Sequence, residues 1–123
     1  MGGHQAAVGR RAVTLPIHFL PEAEREVVDA FAWYERQRRG LGLEFLLAFD
    51  AAIEKLRRIP DGHELVASRT RKALLRRFPY LVLYAVEADR VLITAVFHAR
   101  RDPRDRTDRV RERSPAESDH VSA

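Results

Sequence analysis

Two apolar runs, YLVLYAV (80–86) and VLITAVF (91–97), are separated only by the polar tetrapeptide EADR (87–90). Strand-forming residues around so short a polar link predict a β-hairpin. In the first run both alternating sets are apolar, Tyr80, Val82, Tyr84 and Val86 on one side and Leu81, Leu83 and Ala85 on the other. A strand wetted on one face alternates apolar with polar, so this hairpin belongs to a sheet that is covered on both faces. Helices can cover one face. The second needs either the C-terminal tail folded back or a docked protein.

The rest of the chain supplies helices for the first cover. VTLPIHFL (13–20) reads as a short strand, with Pro16 favouring a sheet edge or a strand's first residues. Pro21, followed by Glu22 and Glu24, opens a helix whose apolar face is Ala23, Val27, Phe31 and Tyr34. That helix ends in RQRRG (36–40). A second helix is predicted from about Leu43 to Ile59. Its stripe is Phe45 or Leu46, Phe49, Ile53, Leu56 and Ile59, and Pro60-Asp61-Gly62 stops it. The short gap around Gly40-Leu41-Gly42 makes the two helices an antiparallel hairpin. A further strand, ALLRRF (73–78), precedes Pro79, which a tight turn or bulge would accommodate. The expected fold is α+β, in the order β-α-α-β-β-β: an N-terminal strand, then a two-helix hairpin on one face of a small, mainly antiparallel sheet.

With 123 residues, 46% of them hydrophobic and 33% charged, the chain has the size and composition of one globular domain. No apolar run reaches the roughly 18 residues of a membrane span. Residues 1–12 read as a flexible leader without a signal-peptide pattern, so a cytoplasmic location is expected. The charge-mixed tail 105–123 is expected to be partly disordered. Cysteine is absent, which excludes disulfides, thiol catalysis and cysteine-ligated metals. The net charge of +4 rests mainly on arginine, whose planar donors suit phosphate or carboxylate, so an anionic partner fits.

Several motifs have plain structural readings. His4, His18, His63, His98 and His120 are scattered, with no pair at ligand spacing, so no metal or other cofactor is expected. Gly40-Leu41-Gly42 joins two helices, which is a helix-capping turn and not a phosphate loop. Glu22, Glu24 and Glu26 alternate around a helix start, as solvated, dipole-complementing acids do. The basic residues are more informative. Arg69, Arg71, Lys72, Arg76 and Arg77 form one group; Arg100, Arg101 and Arg104 follow the last strand as another. Pairing of adjacent strands would bring Arg76 or Arg77, Tyr80, His98 and Arg101 to one rim. Such a rim suits phosphate binding, or proton transfer at a ribose hydroxyl. The alternative is a solvated strand end whose arginines pair with Asp102 and Asp105.

Three segments together resemble the RelE/ParE superfamily of bacterial type II toxins. LPEAEREVVDAFAWYE (20–35) looks like the family's first helix and LGLEFLLAFDAAIEKLRRIP (41–60) like its second. LLRRFPYLVLYAVEADRVLITAVFHARRDP (74–103) is similar to its signature strands. The resemblance spans roughly residues 13–104. It implies a growth-inhibiting toxin neutralised by a cognate antitoxin in a hetero-oligomer, with antitoxin covering exposed apolar surface. It also implies one of two targets. RelE-like members cleave ribosome-bound mRNA with a basic and aromatic set; ParE-like members act on DNA gyrase. Arg76, Arg77, His98 and Arg101 match family positions and are the catalytic set if the chain is a metal-independent mRNA endoribonuclease. Arg69, Arg71, Lys72, Tyr80, Arg100 and Arg104 would contact target or phosphate. ARRDPRDRTDRVRER (99–113) contains no tyrosine and lysine is scarce near the rim, so the ParE-like, non-enzymatic branch is favoured.

Overall fold

A computed structural model describes residues 14–100. The elements are β1 (Ile17–Phe19), α1 (Pro21–Gln37), α2 (Leu41–Arg58), a single 3-10 turn (Pro60–Gly62), β2 (Arg71–Leu74), β3 (Tyr80–Val86) and β4 (Val91–His98). The strands form one sheet in the order β1-β4-β3-β2. β1 runs parallel to β4, and the other two pairings are antiparallel. This is the expected α+β arrangement, with β1 on an edge and Pro16 just before it. Pro16 lends its carbonyl to the Val91 N–H at 2.9 Å, a role that needs no donor from proline.

The helix hairpin is tighter than its sequence suggests. Leu41 and Gly42 are already helical, so only Arg38, Arg39 and Gly40 link the helices, with Gly40 at φ 91°, a conformation that costs glycine little. Glu35 of α1 completes the turn. Its carboxylate accepts the N–H of Gly40 at 3.0 and 3.1 Å and that of Gly42 at 3.0 Å, so it caps the start of α2 from the neighbouring helix. Those two amides are the main reason its carboxyl titrates below the usual range. A Cβ on Gly42 would lie 2.7 Å from the Phe31 ring and 2.9 Å from Glu35 Oε1.

Tyr34, Phe45, Phe49, Phe78 and Tyr80 form an aromatic cluster between the hairpin and the sheet, with ring centroids 4.9–6.3 Å apart. Phe45 is wholly buried, and removing so large a ring would cost about 3–5 kcal/mol. Leu56 completes the α2 stripe. Ile59, expected in that stripe, lies beyond the helix end and is 53% exposed. On the opposite sheet face Leu81, Leu83, Ala95 and Phe97 form a second buried cluster, with Ala67 and Ala99 packed against it. The sheet is therefore apolar and buried on both faces, as the doubly apolar β3 requires.

Two strand details depart from the sequence pattern. β2 covers Arg71–Leu74 and not 73–78, because the chain turns before Pro79, with Arg77 at φ 73° and Phe78 rotated into the aromatic cluster. In β4 the register steps from Tyr84↔Ile93 to Leu83↔Ala95, so Thr94 is an extra, bulged residue. It is buried, and its hydroxyl donates to the Leu83 carbonyl at 3.3 Å. The bulge turns Val96 to the helix side and Ala95 and Phe97 to the other. β1 has ended by then, and the Val96 N–H donates at 2.8 Å to the Glu26 carboxylate of α1 instead.

Candidate functional site

At the His98 end of the sheet, β3–β4 pairing sets Tyr80 opposite His98, their rings edge to face at 5.3 Å. His98 Nδ1 accepts the Arg100 N–H at 3.1 Å, so a neutral His98 carries its proton on Nε2. Tyr80 is only 5% exposed, packed against Tyr34 and Phe45, which makes it a core ring and not a surface contact. The turn carrying Arg76 and Arg77 lies at the same end of the sheet, since Leu75 still pairs with Tyr80.

The two arginines of that turn have different fates. Arg77 donates to Glu44 of α2 at 2.9 Å and lies over the Phe78 ring, with its guanidinium carbon 5.4 Å from the centroid. That hydrogen bond is the chief cause of a Glu44 carboxyl held below its ordinary range, helped by Arg38 at 3.6 Å. Arg76 is exposed and has no ion-pair partner among the described residues. It lines a cleft of about 420 Å³ between α2 and β2.

Arg71 and Lys72 sit at the opposite end of β2, where Arg71 pairs with Tyr84 and not with Tyr80. Arg71 donates to the carbonyls of His63 at 2.6 Å and Asp61 at 3.3 Å, and Lys72 meets Glu64 at 3.5 Å. Both brace the segment that enters β2. Arg69, exposed in that loop, belongs to the same end. Of the rim expected from the sequence, Arg76, Arg77, Tyr80 and His98 do meet at one end of the sheet, while the other basic residues before β2 do not join them. Arg76, Arg77, His98 and Arg100 share one end of the sheet, and Arg69, Arg71 and Lys72 the other. Arg101 and Arg104, with the leader 1–12 and the tail 105–123, lie outside the described residues.

Sequence reasoning did not single out the buried polar post under the second helix's exit. The Tyr84 hydroxyl donates to the Pro60 carbonyl at 2.7 Å and stands 3.1 Å from His63 Nδ1. Burial pushes the Tyr84 phenol up to about 12, so it keeps its proton at neutral pH. Burial first, then the charges of Lys55 and Arg71, hold His63 below the usual imidazole value. Nor did the sequence reading pick out the second stripe of α2, Ala48, Ala51, Ala52 and Lys55, which lines the cleft. Its spacing of three and four was a usable signal, but small residues on a helix attract less notice than its aromatics.

Residues 17–103 match the family model of the ParE toxin of the type II toxin-antitoxin system parDE. A solved structure of the chromosomal ParDE TA system from P. aeruginosa is similar, with a TM-score of 0.62 at 12% identity. The similarity covers 69% of this chain and 96% of that one, and it speaks to the fold. No curated protein sequence matches. Among the described residues no helix is long and apolar enough to cross a membrane.

Proposed function

The chain belongs to the ParE toxin family, and on that premise we propose that it inhibits DNA gyrase and is neutralised by a cognate antitoxin in a hetero-oligomer. The observation that carries the reading is the family match, which extends over residues 17–103, from β1 to beyond β4. The alternative, RelE-like mRNA cleavage by Arg76, Arg77, His98 and Arg101, draws less support from the geometry. An arginine that stabilises a developing phosphorane charge must be free to meet it, and Arg77 is committed to Glu44. His98 uses Nδ1 on the Arg100 amide, and the one tyrosine beside it is buried.

The test is a DNA supercoiling assay with purified gyrase, run beside primer extension on a reporter mRNA after induced expression. Loss of supercoiling with intact mRNA is the expected result. Codon-positioned cuts with normal supercoiling would assign the nuclease mechanism instead. Unimpaired growth under strong induction, with neither effect, would remove both.

A further inference from the structure

Arg77 sits in a conformation that its own side chain resists. Among the described residues it is the one non-glycine with a positive φ, 73°, where a Cβ crowds the backbone. Such strain persists only where the surroundings impose it, and it gathers at functional turns. Here Glu44 accepts from the Arg77 guanidinium at 2.9 Å, and the Phe78 ring lies beneath it. The turn buries Leu75 and Phe78 and leaves Arg76 exposed. Glu44 would otherwise offset the charge of Arg76, because both line a cleft of about 380 Å³. Arg77 and Arg38 neutralise that carboxylate instead.

Arg76 also lines the larger cleft of about 420 Å³, with Ala48, Ala51, Ala52, Lys55 and Arg58 of α2. From Ala48 to Arg58 the helix advances about 15 Å at 1.5 Å per residue. Among the described residues, none that lines this cleft is acidic. Lys55, Arg58 and Arg76 have no carboxylate partner among the described residues either. Cations gathered in an acid-free concavity repel one another and focus a positive field, which an entering anion relieves. The alanines between them leave room for a broad ligand to lie along the helix. A row of cations matches a row of anions. Each strand of duplex DNA sets one phosphate about every 3.4 Å along its axis, whereas protein carboxylates come interspersed with cations.

We propose that the α2–β2 cleft binds the phosphodiester backbone of duplex DNA through Lys55, Arg58 and Arg76, the last presented by the strained turn that Arg77 and Glu44 hold. The proposal rests on reading the chain as an inhibitor of gyrase, an enzyme whose substrate is duplex DNA. The three cations position the toxin on that DNA without reading its sequence, as contacts to phosphate do.

The experiment measures fluorescence anisotropy of a short labelled DNA duplex against three forms of the full chain over a series of salt concentrations. The forms are the unaltered chain, the cleft triple Lys55→Gln/Arg58→Gln/Arg76→Gln, and a control triple Arg25→Gln/Arg36→Gln/Arg39→Gln on and just after α1. All six positions are exposed, and both triples make the same change in net charge. Three phosphate contacts set the slope of log affinity against log salt at about −2.7, each contributing about −0.9. The cleft triple should bind at least about tenfold more weakly and lose most of that slope, with the control near the unaltered chain. Equal loss in both triples would reduce the effect to bulk charge and overturn the site. An unaltered chain that ignores the duplex would overturn it as well. Displacement of the duplex by inorganic triphosphate at equal phosphate concentration would assign a small phosphate ligand instead, and tighter binding of duplex RNA would remove DNA as the partner. In the supercoiling assay the cleft triple should lose inhibition and the control keep it. Unchanged inhibition by the cleft triple would sink this site and leave the gyrase reading intact. Duplex binding through the cleft with gyrase uninhibited would do the reverse.

Discussion

Replacing Tyr84 by phenylalanine removes one oxygen from a wholly buried ring and leaves the aromatic packing in place. The hydroxyl's single proton goes to the Pro60 carbonyl at 2.7 Å, so the His63 Nδ1 contact at 3.1 Å is a bond in which the imidazole donates. Phenylalanine abolishes both bonds and strands a carbonyl and a ring N–H. A net hydrogen bond is worth about 0.5–1.5 kcal/mol, and a buried orphan costs about 1–3 kcal/mol. Pro60 and His63 are half-buried, so water repairs part of the loss, which sets the expectation at about 1–2 kcal/mol. For a domain of this size that lowers Tm by about 4–16 °C. Thermal unfolding followed by circular dichroism at pH 7.5 reads the global loss. Amide exchange reads its location, with faster exchange across Pro60–Gly62 and the following loop and little change in α1. A Tm within about 2 °C of the unaltered protein would show that the hydroxyl is not bonded as described, and would remove the argument that the post anchors the end of α2 to the sheet.

The same post makes stability depend on pH. His63 is held below its ordinary 6.5 in the folded chain, so the neutral ring's contribution is complete above about pH 6.5 and is lost as pH falls toward the folded value. His63→Gln should therefore flatten the decline of Tm between pH 7 and 5; an unchanged slope would assign the decline to other groups. Gly42→Ala gains up to about 1 kcal/mol of helix propensity but drives a methyl into Phe31 and the Glu35 carboxylate, which costs about 1–3 kcal/mol. The variant should melt lower than the parent protein, and a higher Tm would mean that the helix hairpin opens easily at its turn.

Much of this protein is decided by local pattern. The proline and acids at the start of α1, the four-and-three apolar spacing of both helices, and the two apolar runs around EADR each specify an element through forces that act within a few residues. β3 and β4 accordingly begin where the sequence places them, and the doubly apolar β3 is buried on both faces. What sequence could not supply was the pairing of groups far apart along the chain. The parallel docking of β1 beside β4, the bulge at Thr94 and the Glu26 bond to Val96 depend on which strand edge is left open once the sheet assembles. The basic residues show the same limit most clearly. Arg71 and Arg77 look as available in sequence as Arg76, yet Asp61 and Glu44 neutralise them only when α2 and its exit turn come to rest against the sheet. Charge becomes binding chemistry only where folding leaves it unpaired. Here the tertiary position of one helix decides which cations are paired: Arg77 meets Glu44, whereas Lys55, Arg58 and Arg76 have no carboxylate partner among the described residues.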